Sequence, residues 1–138
     1  MISVNLIAVL IAAVVAFVVG FLMHGPLFGK VWMRLADVHP TGNEKFSDMY
    51  GQMFLNLIAN IVTAYVLAVV YAFATASSYV SAGAWGGVVC AFLVWLGFQL
   101  TGSSMEVIWM KRSVKLWLFD NLSAFLALAA MGAIIALM

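Results

Sequence analysis

Every Lys and Arg of this chain falls in two short gaps between long apolar runs: Lys30, Arg34 and Lys45 in one, Lys111, Arg112 and Lys115 in the other. The runs cover Ile2 to Met23, Phe54 to Ala76, Gly83 to about Leu100 or beyond, and Leu116 to Met138, each reaching the roughly 20 apolar residues that a helix needs to cross a bilayer. Charge cannot be spared inside hydrocarbon, so a chain built this way has one economical solution: an all-α integral membrane protein of four transmembrane helices. The gap after the second run, Thr75 to Ala82, carries no charge. The positive-inside bias therefore predicts both basic loops in the cytoplasm and both termini outside, with residues 1–138 forming a single four-helix membrane domain around a cytoplasmic loop 24–52.

Composition bounds the function classes. With 67% hydrophobic and 8% charged residues over 138 positions, the chain has too few charges to coat a water-soluble surface. A formal net charge of +1 gives no electrostatic footprint for nucleic acid. The single cysteine, Cys90, lies inside a run, which excludes an internal disulfide and a cysteine-rich metal site. A signal peptide is the rival reading of Ile2 to Met23; the absence of a preceding basic residue, the length of the run and the lack of a small-x-small cleavage site favour a retained helix.

The two halves align weakly. Gly20-Phe21-Leu22-Met23-His24-Gly25 set over Gly97-Phe98-Gln99-Leu100-Thr101-Gly102 brings Val31-Trp32-Met33-Arg34 over Ile108-Trp109-Met110-Lys111. With a shorter second loop, Phe54-Leu55-Asn56-Leu57-Ile58-Ala59 falls on Phe119-Asp120-Asn121-Leu122-Ser123-Ala124. The alignment predicts parallel two-helix repeats, residues 1–76 and 83–138, related by an axis along the membrane normal. Chance similarity between apolar helices is the alternative.

Lipid tails remove the hydrophobic drive between helices, so close packing depends on small residues. Ala8, Ala12, Ala16 and Gly20 form such a stripe in the first span, Ala64, Ala68, Ala72 and Ala76 in the second, and Gly83, Gly87 and Ala91 in the third. They predict a tight bundle or a homo-oligomer.

The polar residues inside the spans are the candidate site. Gln52, Asn56, Asn60 and Thr63 recur on one helical face; Gln99, Ser103 and Glu106 are expected to share another; Asp120 and Asn121 stand about one turn inside the last span. Ionisable groups at membrane depth point to function by default. Structural glue is the competing reading: Glu106 and Asp120 pairing with Lys111, Arg112 or Lys115, and Asn56 bonding across to Asn121.

In the loop, Gly25-Pro26 stops the first helix. Leu27, Phe28, Val31, Trp32 and Leu35 then recur opposite Lys30 and Arg34, predicting a short amphipathic helix in the membrane interface. Pro40-Thr41-Gly42-Asn43 reads as a turn, after which Thr41 or Asn43 could cap a helix running through Glu44 and Asp48 into the second span. His24 and His39 are the only histidines, and neither has partners at metal-ligand spacing. No metal or cofactor is expected.

The segment Gly25-Pro26-Leu27-Phe28-Gly29 with Trp32 resembles the signature of a small bacterial membrane family known only as domain of unknown function 1761. Val94-Trp95-Leu96-Gly97-Phe98, Lys111-Arg112-Ser113 and Met131-Gly132-Ala133-Ile134 resemble its C-terminal half. Met23 and His24 stand where the family has an aromatic pair, and the acidic residue expected just before Arg112 is missing. The resemblance implies a four-span protein of the bacterial inner membrane and brings no activity with it.

Two functions stay open. A small-solute or ion transporter, working as a homo-oligomer, would use Asn56, Asn60, Gln99, Ser103, Glu106, Asp120 and Asn121 as a polar site. A structural or accessory membrane subunit would use the same residues to pack helices together. An enzyme is not expected, since no nucleophile-base pair or metal cage is legible.

Overall fold

The computed structural model describes residues 2–43 and 45–138. Helix α1 (Leu6–His24) starts where Asn5 caps it, its Oδ1 accepting from the backbone N–H groups of Ile7 and Ala8 at 3.0 and 3.3 Å. The helix therefore begins a few residues later than hydropathy suggests. It stops at Gly25, followed by the Pro26 turn, and α2 (Gly29–Ala36) follows. Leu27 and Phe28, expected on the amphipathic helix, lie in the turn before it and are exposed. Asp37 ends α2 in the left-handed region at φ 57°.

Before the second span, Glu44 and any cap made through it lie outside the described residues. A 3₁₀ turn (Phe46–Met49) leads into α3 (Tyr50–Ala76), and the Asp48 carboxylate accepts from the Lys45 N–H at 3.1 Å. The third span is interrupted: α4 (Ala84–Val94), a π turn (Trp95–Leu100) and α5 (Thr101–Ile108) follow without a break. Helix α6 (Val114–Leu137) completes an all-helical fold in which four helical stretches are long and apolar enough to cross a membrane.

Helix α6 is the axis of the packing. It lies along α4 on one side and α1 on the other, while α3 packs on α1 and touches α6 and α4 more lightly. The stripes predicted from sequence make these contacts possible. Ala12 and Ala16 of α1, Ala64 and Ala68 of α3, and Cys90 and Ala91 of α4 are buried in one cluster with Leu128 and Met131 of α6, and Ala8 is buried as well. Gly87 of α4 and Gly132 of α6 meet backbone to backbone, so a Cβ on either would overlap the carbonyl oxygen of the other. Gly83 is not part of that seam. It precedes α4 at φ 98°, a region open to glycine, and donates its N–H to the Tyr71 hydroxyl at 3.0 Å.

The four apolar stretches alternate in direction, so all basic residues collect at one end of the bundle and the 77–83 turn at the other. The Asn5 amide donates to the Met138 carbonyl at 3.2 Å, tying the start of α1 to the end of α6 at that uncharged end.

Candidate functional site

The polar residues of the spans separate into four groups. The most enclosed is centred on Asn121, which is 2% exposed on α6. Its Nδ2 donates to the Trp117 carbonyl at 2.8 Å and to Ser103 Oγ at 3.0 Å, and its backbone carbonyl accepts from Trp95 Nε1 at 2.8 Å. Ser103 Oγ also accepts from Trp117 Nε1 at 2.9 Å. Its own proton has two acceptors at 3.2 Å, the Leu100 carbonyl and Asn121 Oδ1. Among the described residues no buried side-chain nitrogen or oxygen lacks a partner, as a dry interior requires.

The π turn makes this web possible. In an unbroken α-helix Trp95 and Ser103 would diverge by about 80°, because eight residues overshoot two turns. A wide turn absorbs one residue, leaving the pair within about 20° of the same face, and both reach α6. The same slip takes Gln99 off the face expected for Gln99, Ser103 and Glu106, while Ser103 and Glu106 keep their α-helical spacing on α5 and find different partners. Gln99 is exposed on the π turn, Ser103 faces α6, and Glu106 turns to Arg112.

Glu106 and Arg112 form the second group, with Oε2 and Nη1 2.8 Å apart and both side chains near half exposed. Arg112 is within reach because the chain reverses at Lys111, at φ 57°, just after α5.

Asp120, which the packing alternative pairs with Lys111, Arg112 or Lys115, meets His24 at the end of α1 instead. His24 Nε2 lies 3.3 Å from Asp120 Oδ1, while Nδ1 lies 3.0 Å from the Gly20 carbonyl. The imidazole is held edge-on between Trp32 of α2 and Phe119 of α6, with ring centroids 5.4 and 5.6 Å away. Sequence reading left His24 alone. Its equal depth to Asp120, at the charged ends of neighbouring spans, was the available signal.

The fourth group is the α3 face. Asn60 Nδ2 donates to the carbonyl and side-chain oxygen of Asn56, both at 2.9 Å, and the Thr63 hydroxyl donates to the Ala59 carbonyl at 2.9 Å. Gln52, Asn56 and Thr63 are exposed and Asn60 is half-buried. Asn56 does not reach Asn121. One turn further along, the face turns inward at Ala64.

Of two concavities, one adjoins these groups and the other lies at the opposite end of the bundle. A groove of about 330 Å³ beside the Asn121 web is walled by Trp95, Leu100, Trp117, Leu118, Leu122 and Phe125 and is almost wholly apolar. A cavity of about 360 Å³ at the uncharged end is more polar, lined by Ser3, Asn5, Tyr71 and Thr75 among others. Among the described residues no three metal-ligating side chains converge.

These elements define an all-helical protein of four membrane-length helices whose internal polar groups bond to one another. The chain belongs to the family described as "Protein of unknown function (DUF1761)", whose model matches residues 7–136. No curated protein and no solved structure matches it. The glycines of the Gly25–Gly29 segment have a structural reason. A Cβ at Gly25 would sit 2.7 Å from the Phe21 carbonyl oxygen, and one at Gly29 3.1 Å from that of His24. Side chains there would push the turn off the end of α1 and move Trp32 away from His24.

Proposed function

We propose that this protein is a membrane-embedded assembly subunit, in which the polar residues pack helices together and α3 presents a seam to a second copy of the chain. The observation that carries this reading is the division of the polar groups. The Asn121 side chain is enclosed and its hydrogen-bonding capacity is used within one protomer, whereas Asn56, Gln52 and Thr63 face outward from a helix of membrane length. Outward amides in hydrocarbon gain about 1 kcal/mol each from a partner helix that offers polar groups, and a second α3 offers the same set. An isologous contact of this kind closes a symmetric dimer.

The protein sits in the bacterial inner membrane with its basic loops in the cytoplasm, following the charge bias. Cysteines placed at Ser78 and Ser113 in a Cys90→Ser background are expected to label from opposite sides. Labelling from one side overturns the four-span arrangement.

The function is tested by association in lipid vesicles, read by energy transfer between labelled copies. Asn56→Leu with Asn60→Leu is expected to abolish transfer while the protomer stays folded. Transport is the competing reading, and flux measurements in the same vesicles distinguish the two. Ion or solute flux from the parent protein that falls on Glu106→Gln would replace the assembly reading.

A further inference from the structure

We propose that the groove between the π turn and α6 holds one acyl chain of an anionic phospholipid, with the lipid's phosphate on Lys115. The groove is a product of the wide turn. Trp95 and Leu100 are five residues apart, and in an unbroken α-helix they would point about 140° from each other. A π turn bonds residues five apart, so it brings this pair onto one side, and together they form the wall that faces α6. The opposite wall is a stripe of α6, Leu118, Leu122 and Phe125, at i, i+4 and i+7. No residue of α1, α2 or α3 lines the groove, so this site is independent of the α3 seam.

The walls select what enters. Both indole N–H groups are already used, Trp95 donating to the Asn121 carbonyl at 2.8 Å and Trp117 to Ser103 Oγ at 2.9 Å, and the Asn121 amide is spent on Ser103 and the Trp117 carbonyl. What remains toward the groove is carbon. Phe125 packs against Trp95 with ring centroids 5.1 Å apart, which holds both aromatic walls in place. A volume of about 330 Å³ is at the lower end of the roughly 300–1,000 Å³ of small-molecule sites, and an apolar slot of that size fits a slender hydrocarbon chain.

Charge fixes the other end of the ligand. Lys115 precedes Leu118 by three residues and continues the same stripe to the basic end of the bundle. It is exposed and, among the described residues, makes no ion pair, whereas neighbouring Arg112 is taken by Glu106. Side chains on a helix lean toward its N-terminus, so the Lys115 stem extends the apolar wall while its ammonium group is carried toward the headgroups. From Lys115 to Phe125 the helix rises about 15 Å, half of the roughly 30 Å hydrocarbon core and so the depth of one leaflet. A chain in the groove and a phosphate at Lys115 are then the two ends of one molecule. A free phosphate leaves the groove unexplained, and an apolar helix of a second copy leaves the lysine unexplained.

The test uses the full chain with Trp32→Phe, Trp85→Phe and Trp109→Phe, which leaves Trp95 and Trp117 as the indole fluorophores, reconstituted in phosphatidylcholine bilayers. Phosphatidylglycerol with brominated chains, added at low mole fraction, is expected to quench this fluorescence about fivefold more effectively than brominated phosphatidylcholine, the ratio corresponding to about 1 kcal/mol for one lysine at an anionic surface. Lys115→Gln should abolish that preference and Lys115→Arg retain it, while Lys30→Gln on α2 should leave it unchanged. Leu122→Phe, which fills the groove, should bring quenching by the anionic lipid down toward that by the neutral one. Equal quenching by both lipids in the parent, an unchanged preference in Lys115→Gln or Leu122→Phe, or a loss in Lys30→Gln as large as that in Lys115→Gln would overturn the proposal. So would quenching that disappears as protein density rises at constant lipid composition, which would give the groove to a second copy of the chain.

Discussion

Asn56 and Asn121 occupy matched positions when the two halves of the sequence are aligned, yet they have opposite fates. Asn121 is sealed against the π turn and α5, with Ser103 and the Trp117 carbonyl taking up its side-chain amide and the Trp95 indole its backbone carbonyl. Asn56 sits on the outer side of α3 and is bonded only along its own helix, to Asn60. The same residue type is glue within a protomer in one place and, on our reading, a recognition element in the other. Neighbours decide the difference. Helix α6 is covered by both α1 and α4, whereas α3 packs mainly on α1 and only lightly on α6 and α4.

The comparison is broken most severely where α6 is held closest. Gly132→Leu has no room beside the Gly87 backbone, and forcing α4 and α6 apart should cost about 3 kcal/mol and dismantle the Asn121 web with it. Unfolding in a mild detergent titrated with a denaturing one measures the loss. Retention of the parent's stability would mean that the backbone crossing is not formed.

Asn121→Ala comes next. It leaves the Trp95 bond to the residue 121 backbone intact but strips Ser103 of one partner, so the loss should be about 1–2 kcal/mol in the same assay. Asn60→Leu should leave protomer stability within about 0.5 kcal/mol while weakening association between copies. A variant in which the order of these two stabilities is reversed would place the structural asparagine on α3 instead.

Glu106→Gln sets the lower end of the scale. The Glu106–Arg112 pair is near half exposed, so removing its charge should cost under about 1 kcal/mol and diminish further in salt. A larger loss would mean that the pair is enclosed on assembly.

Much of the fold was legible in the residues because bilayer physics leaves few choices. Apolar runs of membrane length, Gly25-Pro26 as a stop and the small-residue stripes as seams each follow from local rules, and the structure contains the corresponding helices, turn and buried alanines. The candidate site was legible only as an inventory. α-Helical phase groups Gln99, Ser103 and Glu106, but one wide turn between Trp95 and Leu100 displaces Gln99 from that phase, and the chain reversal after α5 gives Glu106 a partner of its own in Arg112.

The sequence by itself determined the number of membrane-length helices, their alternation in direction and the end at which the basic residues gather, since those depend on the hydropathy and charge of each segment alone. The tertiary structure decided which polar groups meet. Asn121 joined Ser103 and not Asn56, and Asp120 joined His24 and not a lysine, because these pairings depend on which helices are neighbours and how each is rotated. Hydropathy carries no information on rotation, and the backbone contact at Gly87 and Gly132, which brings α4 and α6 together, is a matter of shape between distant parts of the chain.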